Sequence, residues 1–426
     1  MRLKRLLASL LSLMFILLTA CGNDEIISNE FEQKTEITLS WWGNDTRNEY
    51  TLEAVKAFEE LHPDIEVKCS YTEWSGYEAR NQVRMVSGTE ADVMQVNAGW
   101  LAQYSEVGTG YYDIESLSEY VSLDNFDADT LDFGRRNGIL NAIPIAMNTE
   151  SIYINKTIYD SYNLPVPETW DDFFEAAKVM KKDGVYPLAG ANKSIWLFCI
   201  AYTEQKTGKT FFDEKGNIRF SYSEFKTMIE FYNRLVTEKV IPKVEDFQRF
   251  NIDNRVYAGT VAWVSDAINY FGTLVEEGDE IIPADYTAFD SSDAGKGWYK
   301  KPATLYAISK NTNHPKEAAM LLDFLLNSAE MARLQGLEKG IPVSKAAKRH
   351  LEEDGQLTGL QYEASQVMEN NSLISPMNSV IENTNLYETF ITHSDMVLFD
   401  KGTLDDVTID LVSAYKDSGY KFTKNK

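Results

Sequence analysis

Three short stretches of the chain place aromatic side chains beside polar and charged ones. An indole face stacks on the apolar C–H face of a sugar ring, while amides, carboxylates and guanidinium groups satisfy its hydroxyls as donors and acceptors. This combination predicts a site for a carbohydrate. The residues concerned are Trp42, Asn44, Asp45, Arg47, Glu73, Trp74, Tyr77, Asn97 and Trp100.

The second half of the chain holds further residues of the same types, mostly tryptophans next to polar loops. We expect them to complete the site from the opposite side. For Trp263 the competing interpretation, packing in a hydrophobic core, stays open. These candidates are Asn148, Trp196, Trp263, Asp266, Trp298 and Tyr299.

The elements that position the first group follow a strand-then-helix pattern. Ile37, Leu39 and Trp41 alternate with polar residues, which predicts a strand with Trp41 in the core and Trp42 on the other side. Thr46 and Glu49 then form a Thr-x-x-Glu capping box, which predicts a helix start. Two more strands end just before Glu73 and just before Asn97. Ligands of open α/β sheets bind at the carboxyl ends of the strands, so all three stretches should meet at one edge.

The amino terminus reads as a targeting segment. A basic start precedes an apolar run from residue 6 to residue 18, which is too short to span a bilayer permanently. Leu18-Thr19-Ala20-Cys21 resembles the bacterial lipobox, in which cleavage leaves a lipid-modified cysteine. We therefore expect a signal peptide over residues 1–20, lipidation of Cys21, and a flexible polar tether over residues 21–35.

Composition excludes several classes of partner. The formal net charge is −24, whereas phosphate binding requires a basic surface, so nucleic acid is not expected as a partner. Only Cys69 and Cys199 remain after Cys21. Cys69 lies in a strand pattern and Cys199 in an apolar helix pattern, which indicates that both thiols are buried. The four histidines are far apart, and no cysteine or carboxylate stands near any of them at the spacing of metal ligands. We predict no metal site and no cofactor.

The length favours two lobes, because about 390 residues exceed what a single hydrophobic core serves. Residues 138–156 contain two strand-like runs around Asn148, which predicts a passage from one lobe to the other. Similar passages are predicted near residues 303–309 and 340–344. We assign residues 36–147 and 308–344 to lobe 1, and residues 148–307 and 345–426 to lobe 2.

Taken together, these segments resemble the extracellular solute-binding proteins of carbohydrate ABC importers, the relatives of maltose-binding protein. The resemblance covers nearly all of the chain after residue 35, in the family's order. Where the family's strand near Gly259 commonly continues Ala-Met, this chain has Ala262-Trp263. The segments that carry the resemblance are ITLSWWGNDTR, SGTEADVMQVNAGWL, AIPIAMNTESIYINK, PETWDDFFEAAKVM, YAGTVAWVSD, ATLYAISKNTNHPKEAAMLLDFLL and GIPVS.

The resemblance implies a two-lobed periplasmic-binding-protein-like α/β fold of type II, with three crossings between the lobes. It implies a monomer that closes on a sugar, an oligosaccharide by the number of aromatics, and delivers it to the permease subunits of an ABC importer. We expect polar contacts from lobe 1 and aromatic contacts from lobe 2. The implied location is the outer face of the bacterial cytoplasmic membrane, through the lipid on Cys21.

Two other classes stay open at this stage. A lipid-anchored glycoside hydrolase would need two carboxylates about 5 to 10 Å apart across the scissile bond. With 65 acidic residues such pairs occur by chance, and no nucleophile elbow, metal signature or phosphate loop accompanies them. A solute-binding protein for a non-sugar ligand is the second alternative. The abundance of aromatics and the lack of histidine clusters favour a sugar over a peptide or a metal.

Overall fold

The structure of the chain is a computed structural model that describes residues 34–213, 215–243, 255–266 and 277–423. The expected signal peptide, Cys21 and nearly all of the expected tether lie outside the described residues. Within them, none of the helices combines the length and apolar composition that a membrane span requires.

The described residues form a mixed α/β structure built on one long sheet. The strands are β1 Thr35–Trp42, β2 Ile65–Thr72, β3 Val93–Val96, β4 Arg135–Arg136, β5 Ile139–Leu140, β6 Ala142–Asn155, β7 Gly259–Trp263, β8 Ile281–Ala284, β9 Tyr299–Ile308 and β10 Ser375–Pro376. All of them belong to the long sheet except β4 and β5, which form a separate two-stranded ribbon. The helices are α1 Asp45–Leu61, α2 Trp74–Ser87, α3 Ala98–Tyr104, α4 Ala128–Leu131, α5 Lys156–Ser161, α6 Trp170–Met180, α7 Asn192–Thr207, α8 Tyr222–Thr237, α9 Pro315–Asn327, α10 Ala329–Gln335, α11 Lys345–Glu353, α12 Leu360–Glu369, α13 Thr384–Leu398 and α14 Leu404–Asp417.

The first three strands place their carboxyl ends at one edge. β1 pairs in parallel with β2, with Trp42 opposite Thr72, and in parallel with β3, with Leu39 opposite Val93. Trp41 is fully buried and Trp42 is only half-buried, as the alternation in β1 predicts. Each strand is followed at once by a helix, so α1, α2 and α3 all begin at this edge.

Two long strands carry the sheet from one lobe into the other. The first half of β6 pairs with β9, and its second half pairs with β7 and β8, all antiparallel. The other end of β9 pairs with β3. The two strand-like runs predicted around Asn148 are therefore one continuous strand, because β9 supports β6 through that position.

The third crossing follows α10. Pro342 bridges to Ala146, and the Val343 amide donates to the Ile145 carbonyl at 3.1 Å. The chain therefore passes between the lobes at β6, at β9 and at residues 340–344. The expected two-lobed fold with three crossings is confirmed.

The two lobes have separate hydrophobic cores. We use lobe 1 for the part of the chain around Ile37, Leu39 and Trp41, and lobe 2 for the part around Phe198 and Tyr415. α13 and α14 contribute to the lobe 2 core, as expected for the carboxyl-terminal segment. Ala347 and Leu351 of α11 pack with Ala332 of α10. The residue boundaries given above stay a prediction.

One helix start differs from its prediction. α1 begins at Asp45, and its cap is Asn44, whose Oδ1 accepts from the Arg47 amide at 2.9 Å. The capping box predicted from Thr46 and Glu49 is therefore wrong, because Asn44, an equally good cap, precedes Thr46 and starts the helix earlier.

Candidate ligand-binding cleft

An aromatic cluster covers the edge where β1, β2 and β3 end. The Trp42 ring lies 4.9 Å from that of Trp74 and 6.1 Å from that of Trp100. Trp74 and Trp100 stack at 5.7 Å, and Trp100 stacks on Tyr77 at 5.9 Å. Side chains from three strand ends therefore meet in one cluster.

The cluster has a buried layer and an open layer. Tyr77 is buried, and its hydroxyl donates to the Gln95 carbonyl at 2.8 Å, while Trp100 is buried beside it. Neither of these two residues faces the cleft as predicted, because both pack beneath the outer rings. Trp74 stays 39% exposed and Trp42 is half-buried. The outer tryptophans therefore present the indole surface, and the inner pair fixes their positions.

Arg47 forms the polar side of this surface. Its Nε donates to Glu338 Oε1 at 3.2 Å and its Nη2 donates to the Glu338 carbonyl at 2.9 Å. Asn44 Nδ2 lies 3.5 Å from the same carboxylate oxygen. Sequence reasoning missed Glu338, because it follows α10, far along the chain from Arg47, and no local motif marks it.

Lys339 lies beneath the Arg47–Glu338 pair. It is 3% exposed, and its Nζ donates to the Tyr306 hydroxyl at 3.0 Å. The same ammonium lies 5.2 Å from the centre of the Tyr306 ring and 5.8 Å from that of Tyr50. Burial, and secondarily the charge of Arg47, lowers the pKa of Lys339 to about 7.

The two outer tryptophans and the Arg47–Glu338 pair line a cavity of ≈ 760 Å³ between the lobes. Ser265, just after β7, and Gln361 of α12 close it from the lobe 2 side. Its volume lies in the usual range for small-ligand sites. Lobe 1 supplies Trp42, Gly43, Asn44, Thr46, Arg47, Tyr50, Glu73 and Trp74, and the segment around the end of α10 supplies Leu334, Gln335, Leu337 and Glu338.

A larger cavity of ≈ 1180 Å³ lies elsewhere, on lobe 2. Thr210, Arg219, Tyr299 and Lys421 are among its lining residues, and the lobe 1 residues of the aromatic cluster are not. Because the larger cavity lacks a wall from lobe 1, we assign the ligand site to the cavity between the lobes.

The lobe 2 wall begins at Asn148 on β6. Its Nδ2 donates to Ser265 Oγ at 2.8 Å, and its Oδ1 accepts from the Ser265 amide at 3.2 Å. Trp263, two residues before Ser265, is half-buried, and the ammonium groups of Lys193 and Lys301 lie 5.4 and 4.6 Å from its ring centre. Asn148 therefore holds the turn after β7 against the sheet.

Three predicted site residues belong to the lobe 2 core. Trp196 is fully buried, because α7 is covered on all sides from Ser194 to Gln205. Trp298 is 2% exposed and packs on Tyr286 at 4.9 Å. Tyr299 is buried, and its hydroxyl donates to Glu204.

Backbone geometry explains the burial of Trp298 and Tyr299. Gly297 has a φ of 79°, and a Cβ there would lie 2.7 Å from Ala201 Cα. The chain therefore enters β9 directly against α7, which packs the side chains of Trp298 and Tyr299 into the lobe 2 core.

The remaining predicted residues are near the cleft with different roles. Glu73 lines the cavity and accepts a hydrogen bond from Ser75 Oγ at 2.9 Å. Asp45 is exposed at the first position of α1 and is not among the lining residues. Asn97 caps α3, since its Oδ1 accepts from the Trp100 amide at 2.9 Å. Asp266 ends a short 3-10 helix, and its side chain lies outside the described residues.

The division of contacts between the lobes differs from the expectation. Lobe 1 supplies both the indole surface of Trp42 and Trp74 and the polar groups of Asn44 and Arg47, whereas Ser265 and Gln361 give lobe 2 a polar wall. Among the described residues, no group of three or more histidine, cysteine, aspartate or glutamate side chains is placed to hold a metal ion.

Comparison with known proteins places the chain in a family. The profile of the bacterial extracellular solute-binding proteins matches residues 42–332. A multiple sugar-binding protein of Streptococcus mutans is 23% identical over 79% of this chain and 81% of its own length. A periplasmic solute-binding protein of Pectobacterium atrosepticum is 30% identical with a TM-score of 0.80, over 90% of this chain and 98% of that one.

A periplasmic oligogalacturonide-binding protein of Yersinia enterocolitica, solved in complex with saturated digalacturonic acid, is 28% identical with a TM-score of 0.76. That match covers 90% of this chain and 98% of the Yersinia chain. Because the family profile spans more than half of the residues, including the first and second strand ends of the cleft and both long crossing strands, the chain is a member of the bacterial extracellular solute-binding protein family.

Proposed function

We propose that the chain captures an oligosaccharide in the cleft between its lobes and delivers it to the permease of an ABC importer. The observation that carries this proposal is the pair of open indole surfaces, Trp42 and Trp74, on a cavity of ≈ 760 Å³ beside Asn44 and Arg47. Two adjacent rings offer stacking for more than one sugar unit. The sugar-binding relative in Streptococcus mutans supports the same ligand class.

A carrier releases its ligand unchanged, so the proposed function requires that the protein does not cleave the bound sugar. Among the residues that the structure describes, the acidic side chains that line the cavity are Glu73 and Glu338, and Glu338 is engaged with Arg47. A glycoside hydrolase would need one carboxyl held protonated opposite a second, free carboxylate. We therefore propose that the protein binds its sugar without altering it. We also propose that it acts as a monomer, tethered to the outer face of the membrane through the lipid on Cys21.

A calorimetric screen of defined oligosaccharides, neutral and acidic, tests the proposal. We expect at least one oligosaccharide to bind more tightly than its component monosaccharide, and chromatography to recover it intact after prolonged incubation. If no sugar binds, the carrier function is wrong. If pure protein cleaves the bound sugar, and Glu73→Gln abolishes the cleavage, the protein is a hydrolase.

A further inference from the structure

Trp263 is covered by two cations rather than open for stacking. Lys193, in the first turn of α7, and Lys301, on β9, both place their ammonium groups over its ring, at 5.4 and 4.6 Å. The side chains of Lys193 and Lys301 are 19% and 26% exposed. We call Lys193 and Lys301 the lysine pair. The electron-rich indole face holds both cations in place while leaving them accessible.

The lysine pair lies next to the cavity between the lobes, and neither lysine is among the residues that line it. Lys301 is the register partner of Asn148 on β6, and Asn148 is hydrogen-bonded to Ser265, which lines the cavity between the lobes. The neighbouring Lys300 points to the opposite face of the sheet, where it lines a separate cavity of ≈ 360 Å³. Alternation along β9 therefore directs Lys301 to the ligand side of the sheet.

One carboxylate already occupies the lysine pair. Glu382, at the end of a short 3-10 helix, accepts from Lys301 Nζ through Oε1 at 2.6 Å and from Lys193 Nζ through Oε2 at 2.7 Å. Each oxygen thus takes one ammonium. Burial alone would raise the pKa of Glu382, but Lys301 and Lys193 hold it below its ordinary value. The Glu382 side chain is still 41% exposed, so it can leave the pair.

The surroundings add to the positive potential. No side chain caps α7, because Ala191 stands at the cap position, and the positive end of a 16-residue helix is therefore open beside Lys193. The buried Glu150, which accepts from Ser194 of the same turn at 2.9 Å, offsets part of this potential. The whole chain is strongly acidic, so a positively charged site at the cleft stands out against the surface around it.

We propose that the captured sugar is a uronate, and that the lysine pair binds one of its carboxylates after Glu382 leaves. Glu382 then acts as a built-in substitute that neutralises the lysine pair while the cleft is empty. The uronate replaces one set of charge-assisted hydrogen bonds by an equivalent set, and so avoids the cost of leaving two lysines unpaired. This inference rests on the proposed function and specifies its ligand.

Calorimetry with digalacturonate and its dimethyl ester on the full mature chain tests the proposal. We expect Lys301→Met and Lys193→Met each to weaken binding of the acid by about tenfold, because each removes a charged hydrogen bond. Binding of the ester should stay within a small factor in both variants. Lys300→Met is the matched control, since it removes the adjacent lysine from the opposite face, and it should bind like wild type.

Glu382→Gln distinguishes a ligand site from an ion-pair network that only joins α7 to β9. If Glu382 competes with the ligand, the variant should bind digalacturonate more tightly, because the lysine pair is no longer occupied by a charged group. Unchanged or weaker binding would overturn the proposal, and so would an ester that binds wild type as tightly as the acid. If neutral oligosaccharides bind and digalacturonate does not, the carrier function stands and the uronate inference fails.

Discussion

At the scale of single residues, Trp74 is the main candidate for stacking. It is 39% exposed, it lines the cavity, and it rests on the buried ring of Trp100. Trp74→Ala removes one stacking partner, which contributes about 0.5–1.5 kcal/mol beyond its buried area. We expect oligosaccharide binding to weaken by about tenfold, measured by calorimetry, while the melting temperature of the unliganded protein stays nearly unchanged.

Tyr71 provides the matched control for Trp74. It has the same exposure of 39%, but it stacks on Trp41 at 4.7 Å and is not among the residues that line the cavity. Tyr71→Ala should therefore leave the affinity unchanged. Equal losses in the two variants would show that the aromatic surface acts on stability rather than on the ligand.

The lowered pKa of Lys339 predicts that the stability of the protein depends on pH. Its pKa of about 7 in the folded protein lies below the ordinary value of 10.5, mainly because of burial. Between these two values the unfolded chain binds the extra proton, so the free energy of unfolding should rise with pH from about 7 to about 10.5 on account of this group. Lys339→Met removes that contribution, and urea titrations along this range should then show a smaller rise.

The control for this prediction is Lys348→Met, which removes a partly exposed lysine paired with Glu369. It should keep the wild-type slope. A Lys339→Met variant with the same slope as wild type would mean that Lys339 keeps its proton in the folded state.

At the scale of elements, the position of the first helix start can be tested directly. Asn44 caps α1 by accepting from the Arg47 amide, whereas Thr46 lies inside the first turn. Asn44→Ala should lower the free energy of unfolding by about 0.5–2 kcal/mol, since a backbone donor loses its partner. Thr46→Ala should have a much smaller effect in the same denaturant titration. The reverse order would restore the capping box that the sequence suggests.

The elements that the sequence predicts well are those with strong local patterns. Alternation fixes β1 and separates Trp41 from Trp42, and the Thr-x-x-Asp pattern of Thr169 and Asp172 forms a capping box at the start of α6. The direction of a tryptophan in a helix is not local information. Trp196 is buried because α7 is covered on every side, and this depends on segments distant in the sequence.

The polar contacts of the cleft likewise join segments that are distant in the sequence, so local patterns do not predict them. Arg47 and Glu338 come together only when the segment after α10 returns to α1. The lysine pair and Glu382 join α7, β9 and a 3-10 helix near the carboxyl terminus. Such contacts need the full topology, so residue types alone predicted the sugar chemistry of the site but not its charged partners.

At the scale of the whole molecule, the sequence of the amino terminus predicts a membrane anchor. Cys21 follows Leu18-Thr19-Ala20 at the end of the apolar run. We expect mass spectrometry of the mature protein to find a lipid on this cysteine and fractionation to find the protein with the membrane. Cys21→Ser should release it, whereas Cys69→Ser, which alters a partly buried thiol of β2, should not. Membrane association that survives Cys21→Ser would contradict the anchor.

The arrangement of the two lobes predicts that the sugar closes the cleft. β6, β9 and residues 340–344 are the crossings, and the cavity is lined by Trp42, Arg47 and Trp74 on one side and by Ser265 and Gln361 on the other. A ligand that contacts both walls binds the closed form more tightly than the open form, so it shifts the population toward closure.

Small-angle scattering with and without the best oligosaccharide should show a smaller radius of gyration in the complex. Ligand at about 100 times its dissociation constant should also add about 2.7 kcal/mol to the free energy of unfolding. Trp74→Ala, saturated with the same sugar, is the matched comparison, because it weakens one wall without altering a crossing. A radius that does not change at saturation, together with full thermal stabilisation, would show that the ligand binds to one lobe and that the lobes do not close on it.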